Sequence, residues 1–337
     1  VESQGMKRYL LKLQPDSFED IIAMLALYRP GPLNSGMVDD FILRKRGQQK
    51  VDYFHEDLKE CLSPTYGVIV YQEQVMQIAQ IMAGYTLGGA DLLRRAMGKK
   101  KPEEMAQQRS IFLEGAQKKG HSEALATQLF DLMEKFAEYG FNKSHTAAYA
   151  VITYQTAWLK AHFPAEFLAA TMSSDMDDTD KVAFLVADAK ANGLGVLPPD
   201  INHSGYRFEP VLGVNEEDAR LEASDAPQTR ARAIRYGLGA VRGVGESAVM
   251  SILKARETGP FTDLFDFCAR VDRRLVNKRA IEALVKSGAF DQTQPQGRAG
   301  RAQLVASIDL AVRVAEEALA NADQVGGALV GLLSGVF

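Results

Sequence analysis

The stretch AVRGVGESA, residues 240–248, places two glycines on either side of one valine, directly before a helical apolar spacing. This pattern is typical of two short helices joined by a tight hairpin. Val244 can pack between the helices, while Gly243 and Gly245 leave backbone N–H groups uncovered at the start of the second helix. We therefore predict a contact with a nucleic-acid phosphate at this hairpin. The alternative is a glycine-rich turn between packing helices.

Local charge favours the nucleic-acid interpretation of the hairpin. Between Arg230 and Arg279 there are eleven Lys and Arg residues against five Asp and Glu residues, although the 337-residue chain has a formal net charge of -4. Such a local excess favours binding to the DNA backbone without regard to base sequence. The predicted DNA-binding residues of this region are Arg242, Gly243, Val244, Gly245 and Ser247.

A second stretch, GFNKSHTAAYA at residues 140–150, predicts the start of a helix. Asn142 or Ser144 can cap this helix, and the first N–H groups of a helix attract anions. Lys143 adds a positive charge at the same end. From these residues alone, both phosphate binding and an ordinary capped helix remain open.

Rings and arginines could complete such a phosphate site. His145 and Tyr149 are four residues apart and share one helix face, where a flat ring could border a base or a sugar. The stretch LLRRAMGKKK, residues 92–101, contains Arg94 and Arg95, whose guanidinium groups can bind pairs of phosphate oxygens. The alternative for His145 and Tyr149 is that both rings are buried. The alternative for residues 92–101 is a basic face exposed to solvent.

A further basic turn ends the predicted helix MVDDFILRKRG, residues 37–47. Arg44 and Lys45 lie in its last turn, where positive charge also complements the helix macrodipole. Both a DNA-backbone contact and simple macrodipole complementarity remain open for these two residues.

The composition excludes several classes of protein. With 46% hydrophobic and 24% charged residues, the chain has an ordinary globular composition. The two cysteines, Cys61 and Cys268, lack the spacing of a metal or redox site, and no apolar run is long enough for a membrane span or a signal peptide. We therefore expect a cytoplasmic protein without membrane contact. The acidic residues 175–180 lack the glycine and glutamate of a calcium loop, so we interpret them as helix caps.

Periodicity predicts a mainly α fold. Helical spacing dominates residues 17–172, with a cap at Asp16 or Ser17 and a turn at RPGPL, residues 29–33. A main boundary is expected near residues 173–200. Two short strands joined by a polar excursion then precede short helices, and an alanine-rich helix continues from Arg301 to about Asn321.

Several of these stretches, in order, resemble the alpha subunits of bacterial DNA polymerase III, which are C-family replicative polymerases. The resemblance is carried by LALYRPGPLNSGMVDDFILRKRG, YGVIVYQEQVMQIAQIMAGYTLGGADLLRRAMGKKK, EYGFNKSHTAAYAVITYQTAWLKAHFPAEFLAA, LPPDIN and YGLGAVRGVGE. It implies a multi-helix fingers domain at residues 1–175 and a small α+β duplex-binding region with tandem helix-hairpin-helix motifs and a short β-hairpin at 176–300. Residues 301–337 would form a helical to disordered tail.

The resemblance also implies roles for individual residues. The seven that match the family's contacts with the incoming dNTP are Arg94, Arg95, Asn142, Lys143, Ser144, His145 and Tyr149. Residues 243–245 fall in its hairpin. The implied activity is DNA-directed DNA polymerase, a nucleotidyltransferase reaction on primer–template DNA.

Two departures from the family limit what this chain is expected to do alone. The palm aspartates that hold Mg²⁺ belong to segments upstream of these residues, so we expect no catalytic residue, no metal ligand and no activity from this piece by itself. The other holoenzyme subunits, including the sliding clamp, are implied partners, but a clamp-binding motif is not recognisable near Gln324.

Two other functions remain open. A noncatalytic helix-hairpin-helix DNA-binding scaffold would explain the hairpin but not residues 92–101 or 140–150. A damage-tolerant paralogue of the same subunit is disfavoured by the intact NKSHTAAY stretch, residues 142–149.

Overall fold

The computed structural model describes residues 2–99, 102–137, 139–212 and 231–334, which are mainly α-helical with one small sheet. The chain forms two compact units, Val1–Ala157 and Trp158–Phe337. The predicted fold class, mainly α with a small α+β region, is therefore confirmed. The predicted domain boundaries at residues 175 and 300 stay predictions.

Helices make up the first unit. They are α1 (Gln4–Leu13), α2 (Phe18–Leu27), α3 (Pro30–Asn34), α4 (Met37–Lys45), α5 (Lys59–Leu62), α6 (Gln72–Ala83), α7 (Leu87–Lys99), α8 (Pro102–Lys118), α9 (Glu123–Ala137) and α10 (Lys143–His162), the last of which continues into the second unit.

The second unit combines helices with three short strands. The helices are α11 (Pro164–Ser174), α12 (Thr179–Ala191), α13 (Glu246–Arg256), α14 (Leu264–Arg270), α15 (Lys278–Ser287) and α16 (Arg301–Ser334), and the strands are β1 (Gly195–Leu197), β2 (Glu209–Leu212) and β3 (Ala231–Arg235).

The start of α2 shows how local chemistry sets helix bounds. The Ser17 hydroxyl accepts a hydrogen bond from the Asp20 N–H at 3.3 Å, and the Asp20 carboxylate accepts one from the Ser17 N–H at 3.2 Å. This reciprocal pair is a capping box, so Ser17 is the cap. The stretch RPGPL is not a simple turn as predicted, because Pro30 begins α3 at the first helical position, where its missing N–H costs nothing.

Helix α7 includes several glycines. The glycines of residues 84–90 predict an interruption between two helices, and Gly98 predicts the end of the second; α6 does end at Ala83, and α7 runs from Leu87 to Lys99. The Thr86 hydroxyl accepts a hydrogen bond from the Gly89 N–H at 3.1 Å, which places the first glycines in a capped opening turn. Buried side chains such as Leu93 and Met97 pack the helix onto the core and carry it through Gly98.

The sheet has the order β1-β3-β2. The predicted pair of strands corresponds to β2 and β3, which are antiparallel, and the predicted polar excursion between them lies outside the described residues. Strand β1 pairs in parallel with β3 and was not predicted, since its three residues are too few to show an alternating pattern. Pro210 lies on the edge strand β2, where its missing N–H breaks no internal ladder.

One core joins the helices that follow the sheet. Val244 of the hairpin belongs to the same buried cluster as Phe267 of α14, Leu284 of α15 and Ile308 of α16. Helix α16 runs to Ser334, beyond the end near Asn321 that the alanine-rich pattern predicts. Within the described ranges, no helix is both long and apolar enough to cross a membrane.

Candidate nucleotide and nucleic-acid sites

A backbone bridge brings the starts of α6 and α10 together. Tyr71 and Phe141 form a parallel bridge. The Gln72 N–H donates to the Phe141 carbonyl at 3.0 Å, and the Phe141 N–H donates to the Val70 carbonyl at 3.2 Å. The first turn of α10, which carries the predicted phosphate-binding residues, is therefore fixed beside the first turn of α6.

Asn142 is the cap of α10. Its Oδ1 atom accepts a hydrogen bond from the His145 N–H at 2.8 Å and another from the Ser144 hydroxyl at 2.5 Å. The sequence left the cap open between Asn142 and Ser144, and the structure selects Asn142. Ser144 is thus engaged in the cap in this structure.

Two carboxylates hold Lys143. Its backbone N–H lies 3.1 Å from both carboxylate oxygens of Glu73, and its ammonium lies 3.0 Å from a carboxylate oxygen of Glu19. The ammonium also lies 5.4 Å from the ring centroid of Tyr71. An internal carboxylate therefore occupies the position at this helix start where an anion would bind.

A row of rings runs along the start of α10. The ring centroids of Phe141 and His145 are 5.4 Å apart, and those of His145 and Tyr149 are 4.8 Å apart. Tyr149 is 57% exposed, so the buried-ring alternative does not hold for it. At the other end, the Arg29 guanidinium lies 4.4 Å from the Phe141 centroid, and burial lowers the pKa of Arg29. The sequence did not single out Arg29.

Asp91 binds both predicted arginines. Its Oδ1 atom lies 2.7 Å from Arg94 Nη2, and its Oδ2 atom lies 2.8 Å from Arg95 Nε. Hydrogen bonds from Arg94 lower the pKa of the Asp91 carboxyl. The two guanidinium groups line an open cavity of about 230 Å³ together with Gln72, Val75, Gly98 and Lys99.

Gln72 links Arg94 to the segment just before α10. Its side-chain Nε2 donates to the Gly140 carbonyl at 3.2 Å, and its Oε1 accepts from Arg94 Nη1 at 3.2 Å. The structure therefore brings together two stretches that are far apart in the sequence. No local signal could have identified Gln72, because its three partners, Arg94, Gly140 and Phe141, lie far from it in the sequence.

The hairpin has the geometry that its glycines predict. Gly243 has φ +93°, a left-handed conformation that strains any other residue. Gly245 is the N-cap of α13, and a Cβ atom there would have no heavy atom within 4 Å. The start of α13 is thus open, while Val244 is buried as predicted. Arg242 and Ser247 are exposed beside it.

A second helix start faces the same space. Asn277 caps α15 by accepting a hydrogen bond from the Ala280 N–H at 3.0 Å. An open cavity of about 460 Å³ is lined by Arg242, Gly243, Asn277 and Arg279. The sequence did not single out Asn277 and Arg279, although an asparagine directly before a basic helix start, NKR, was a usable signal.

Arg44 and Lys45 are engaged within the first unit. The Lys45 ammonium lies 2.6 Å from Asp16 Oδ1 and 2.9 Å from Asp20 Oδ2, and its side chain is 6% exposed. Burial opposes the charge, but hydrogen bonds to both carboxylates raise the pKa of Lys45 above its ordinary value. Arg44 Nη1 donates to the Tyr66 carbonyl at 3.4 Å. The DNA contact of these two residues stays a prediction, and it would require Lys45 to leave both carboxylates.

The acidic residues 175–180 cap a helix, as predicted. The Asp178 carboxylate accepts hydrogen bonds from the N–H groups of Asp180 and Lys181, both at 3.1 Å. The Lys181 ammonium in turn lies 2.9 Å from Asp175. No group of three or more His, Cys, Asp or Glu side chains with metal-binding geometry occurs in the described part of the chain.

Known proteins match both regions of the chain. A family model for the bacterial DNA polymerase III alpha subunit finger domain matches residues 1–120, and a model for the helix-hairpin-helix motif matches residues 193–301. DNA polymerase III subunit alpha of Vibrio cholerae serotype O1 is 57% identical over 337 residues, covering 97% of this chain and 27% of the relative. The chain belongs to the family of bacterial DNA polymerase III alpha subunits.

Other alpha subunits agree with this assignment. That of Escherichia coli K12 is 53% identical over 337 residues, with 97% of this chain and 27% of the relative covered. That of Neisseria meningitidis serogroup A is 53% identical over 326 residues, with 96% and 26% covered. The chain thus spans about a quarter of the length of the curated DNA polymerase III alpha subunits it matches.

The matches cover the two sites differently. The finger-domain model includes Arg94 and Arg95 but ends before residues 140–150, which are covered by the alignments with whole alpha subunits. The helix-hairpin-helix model includes both helix starts around the 460 Å³ cavity. The predicted helix-hairpin-helix region of this DNA polymerase III alpha segment is therefore confirmed.

Proposed function

We propose that this chain binds an incoming dNTP and primer–template DNA as part of a DNA polymerase III alpha subunit during template-directed DNA synthesis. The nucleotide part of this proposal rests on the side chain of Gln72, which bonds both Arg94 and the Gly140 carbonyl and so holds Arg94 beside the start of α10. The proposed nucleotide-binding residues are Arg94, Arg95, Asn142, Lys143, Ser144, His145 and Tyr149.

The chemistry of these groups suits a triphosphate. Arg94 and Arg95 each offer a planar fork of donors to phosphate oxygens, and Lys143 adds a mobile positive charge. The exposed ring of Tyr149 borders the same helix start and offers a flat surface to a base or a sugar. Binding would exchange the carboxylates of Asp91, Glu19 and Glu73 for phosphate oxygens.

The two helix starts around the 460 Å³ cavity support the DNA part of the proposal. Arg242, Gly243, Val244, Gly245 and Ser247 form the first hairpin, and Asn277 and Arg279 extend the phosphate-binding surface to the second. Open helix starts and arginines bind phosphates without reading bases, so binding would be independent of sequence. Arg44 and Lys45 are secondary candidates.

The proposed reaction of the longer subunit is attack of the primer 3′-hydroxyl on the α-phosphate of the dNTP, with pyrophosphate leaving. The carboxylates near the nucleotide site do not fit a Mg²⁺ ion, because Asp91, Glu73 and Glu19 already bind arginines, a helix N–H and a lysine. We therefore assign the metal ligands and catalysis to other segments of the subunit, and we propose that this chain is inactive alone.

The same assignment implies a cytoplasmic setting and other holoenzyme subunits, including the sliding clamp, as partners of the whole protein. Neither a clamp contact nor a membrane contact is assigned to any residue described here.

Binding of dATP to this chain tests the nucleotide part. We expect measurable binding by calorimetry and a loss of about fivefold or more in Arg95→Ala and Lys143→Ala, since each removes a charged hydrogen bond. Arg109→Ala is the matched control, because Arg109 is another half-exposed arginine that binds a carboxylate, Asp131, in the same unit. Duplex binding without any dATP binding would favour the noncatalytic scaffold instead.

Substitution of the hairpin glycines tests the DNA part. Gly243→Val together with Gly245→Val should weaken duplex binding about tenfold or more, since both the left-handed backbone and the open helix start are lost. Gly193→Val is the control, because Gly193 also has a left-handed φ of +76° with no neighbour within 4 Å. Unchanged duplex affinity in the double variant would remove the hairpin from the proposal.

A further inference from the structure

Gln72, the first residue of α6, uses each of its polar groups in a different contact. Its backbone N–H donates to the Phe141 carbonyl at 3.0 Å. Its side-chain Nε2 donates to the Gly140 carbonyl at 3.2 Å, and its Oε1 accepts from Arg94 Nη1 at 3.2 Å. One side chain therefore spans the gap between α7 and the start of α10.

The partners of Gln72 dictate the chemistry of its side chain. A carbonyl requires a donor and a guanidinium requires an acceptor, and an amide supplies both on one planar group. A carboxylate would keep the acceptor but repel the Gly140 carbonyl, and a methionine side chain of similar length would supply neither group. The amide is also close to Gly140, where a Cβ atom would lie 3.3 Å from Gln72 Cγ.

Gln72 fixes a part of Arg94 that Asp91 leaves open. Asp91 holds Nε and Nη2 of Arg94 at 3.0 and 2.7 Å, and Gln72 holds the remaining nitrogen, Nη1. Together these contacts set the guanidinium plane at the wall of the 230 Å³ cavity, and Gln72 would keep its hold on Nη1 when phosphate oxygens replace Asp91. The fold thereby fixes where this guanidinium lies relative to the helix start at residue 143.

We propose that Gln72 is a positioning residue for the nucleotide site, acting through Arg94 and Gly140 to set the guanidinium against the first turn of α10. The inference rests on the proposed nucleotide binding. Gln72 itself would contact no phosphate. It sets the spacing between two phosphate-binding groups, the Arg94 guanidinium and the first turn of α10. A triphosphate that contacts both groups gains affinity only while that spacing is kept.

The test is a double-variant cycle on dATP affinity, measured by calorimetry with the whole chain. Gln72→Met should lower the affinity about fivefold, and Arg94→Met should lower it by at least as much. In the Arg94→Met background, Gln72→Met should have no further effect, because its partner is already gone. Gln72→Glu should lower the affinity more than Gln72→Met, since the added negative charge also repels phosphate.

Controls separate positioning from folding. Gln77→Met makes the same change at an exposed position of the same helix and should leave dATP affinity unchanged. Thermal unfolding of every variant shows whether the fold is kept. If Gln72→Met fails to fold, Gly140→Ala replaces it, because its Cβ atom would press on Gln72 Cγ without touching Arg94.

The outcomes distinguish the inference from the function on which it rests. Absence of dATP binding by the unmodified chain would overturn the proposed nucleotide function. Normal binding that is unaffected by Gln72→Met, or losses from Gln72→Met and Arg94→Met that simply multiply, would overturn the positioning role alone.

Discussion

Removal of two arginines from the cavity between the helix starts should change how DNA binding depends on salt. Arg242 and Arg279 line the same 460 Å³ space and are both exposed. Each phosphate neutralised on B-DNA contributes about 0.9 to the slope of log affinity against log salt. If each arginine neutralises one phosphate, Arg242→Ala with Arg279→Ala should make the slope less steep by about 1.8.

The same relation gives the loss of affinity. At 0.1 M salt each such contact is worth about eightfold, so the double variant should bind about sixtyfold more weakly, and each single variant about eightfold. The two losses should be nearly independent if each arginine binds a phosphate of its own.

Fluorescence anisotropy with a labelled duplex, repeated between about 50 and 300 mM salt, measures both quantities. Arg274→Ala is the matched control. Arg274 lies on the connection between α14 and α15, its side chain is 90% exposed, and it binds Asp272 instead of lining the cavity. A slope that is the same in the double variant and in the unmodified chain would refute the assignment of this cavity to DNA phosphates.

Other predictions concern the fold. Burial raises the pKa of Asp20, but hydrogen bonds from groups that include Lys45 and Ser17 outweigh burial and hold this pKa below its ordinary value. The contribution of this carboxylate to stability should therefore be complete above about pH 4 and be lost as acid protonates it. Asp20→Asn should flatten that part of the pH profile of the free energy of unfolding. Phe267→Ala should cost about 3–5 kcal/mol in urea unfolding, because this fully buried ring fills the core of the second unit. Burial raises the pKa of Cys61 and Cys268 to about 11, so both should react slowly with iodoacetamide at about pH 8; equal rates in native and unfolded chains would contradict this.

Local signals allowed much of this fold to be predicted. Caps such as Ser17 and Asn142 act within three residues of themselves, and the hairpin glycines determine their own backbone angles, so the sequence carries these features directly. Helix α7 includes Gly88, Gly89 and Gly98 because its burial against neighbouring helices outweighs the low helix propensity of glycine.

The parts of the sites that escaped prediction depend on contacts between distant residues. Gln72 meets Gly140 across 68 positions, and Lys45 meets Asp16 across 29. Neither pairing leaves a periodic or a spacing signal. The predicted site residues were identified by type and by resemblance, whereas the residues that hold them in place required the packed structure.

The positive groups of the proposed nucleotide site pair with carboxylates of the same chain. Asp91 faces the two arginines, Glu19 faces the Lys143 ammonium and Glu73 faces the backbone N–H of the same residue. Under the proposed function, a triphosphate enters a nearly electroneutral surface and takes over partners from three carboxylates. Long-range attraction then contributes little to capture, and a single phosphate, with a charge of about -2, carries less negative charge than the three carboxylates that it would replace, whereas a triphosphate carries more. The preference for a triphosphate would thus follow from competition within the fold itself.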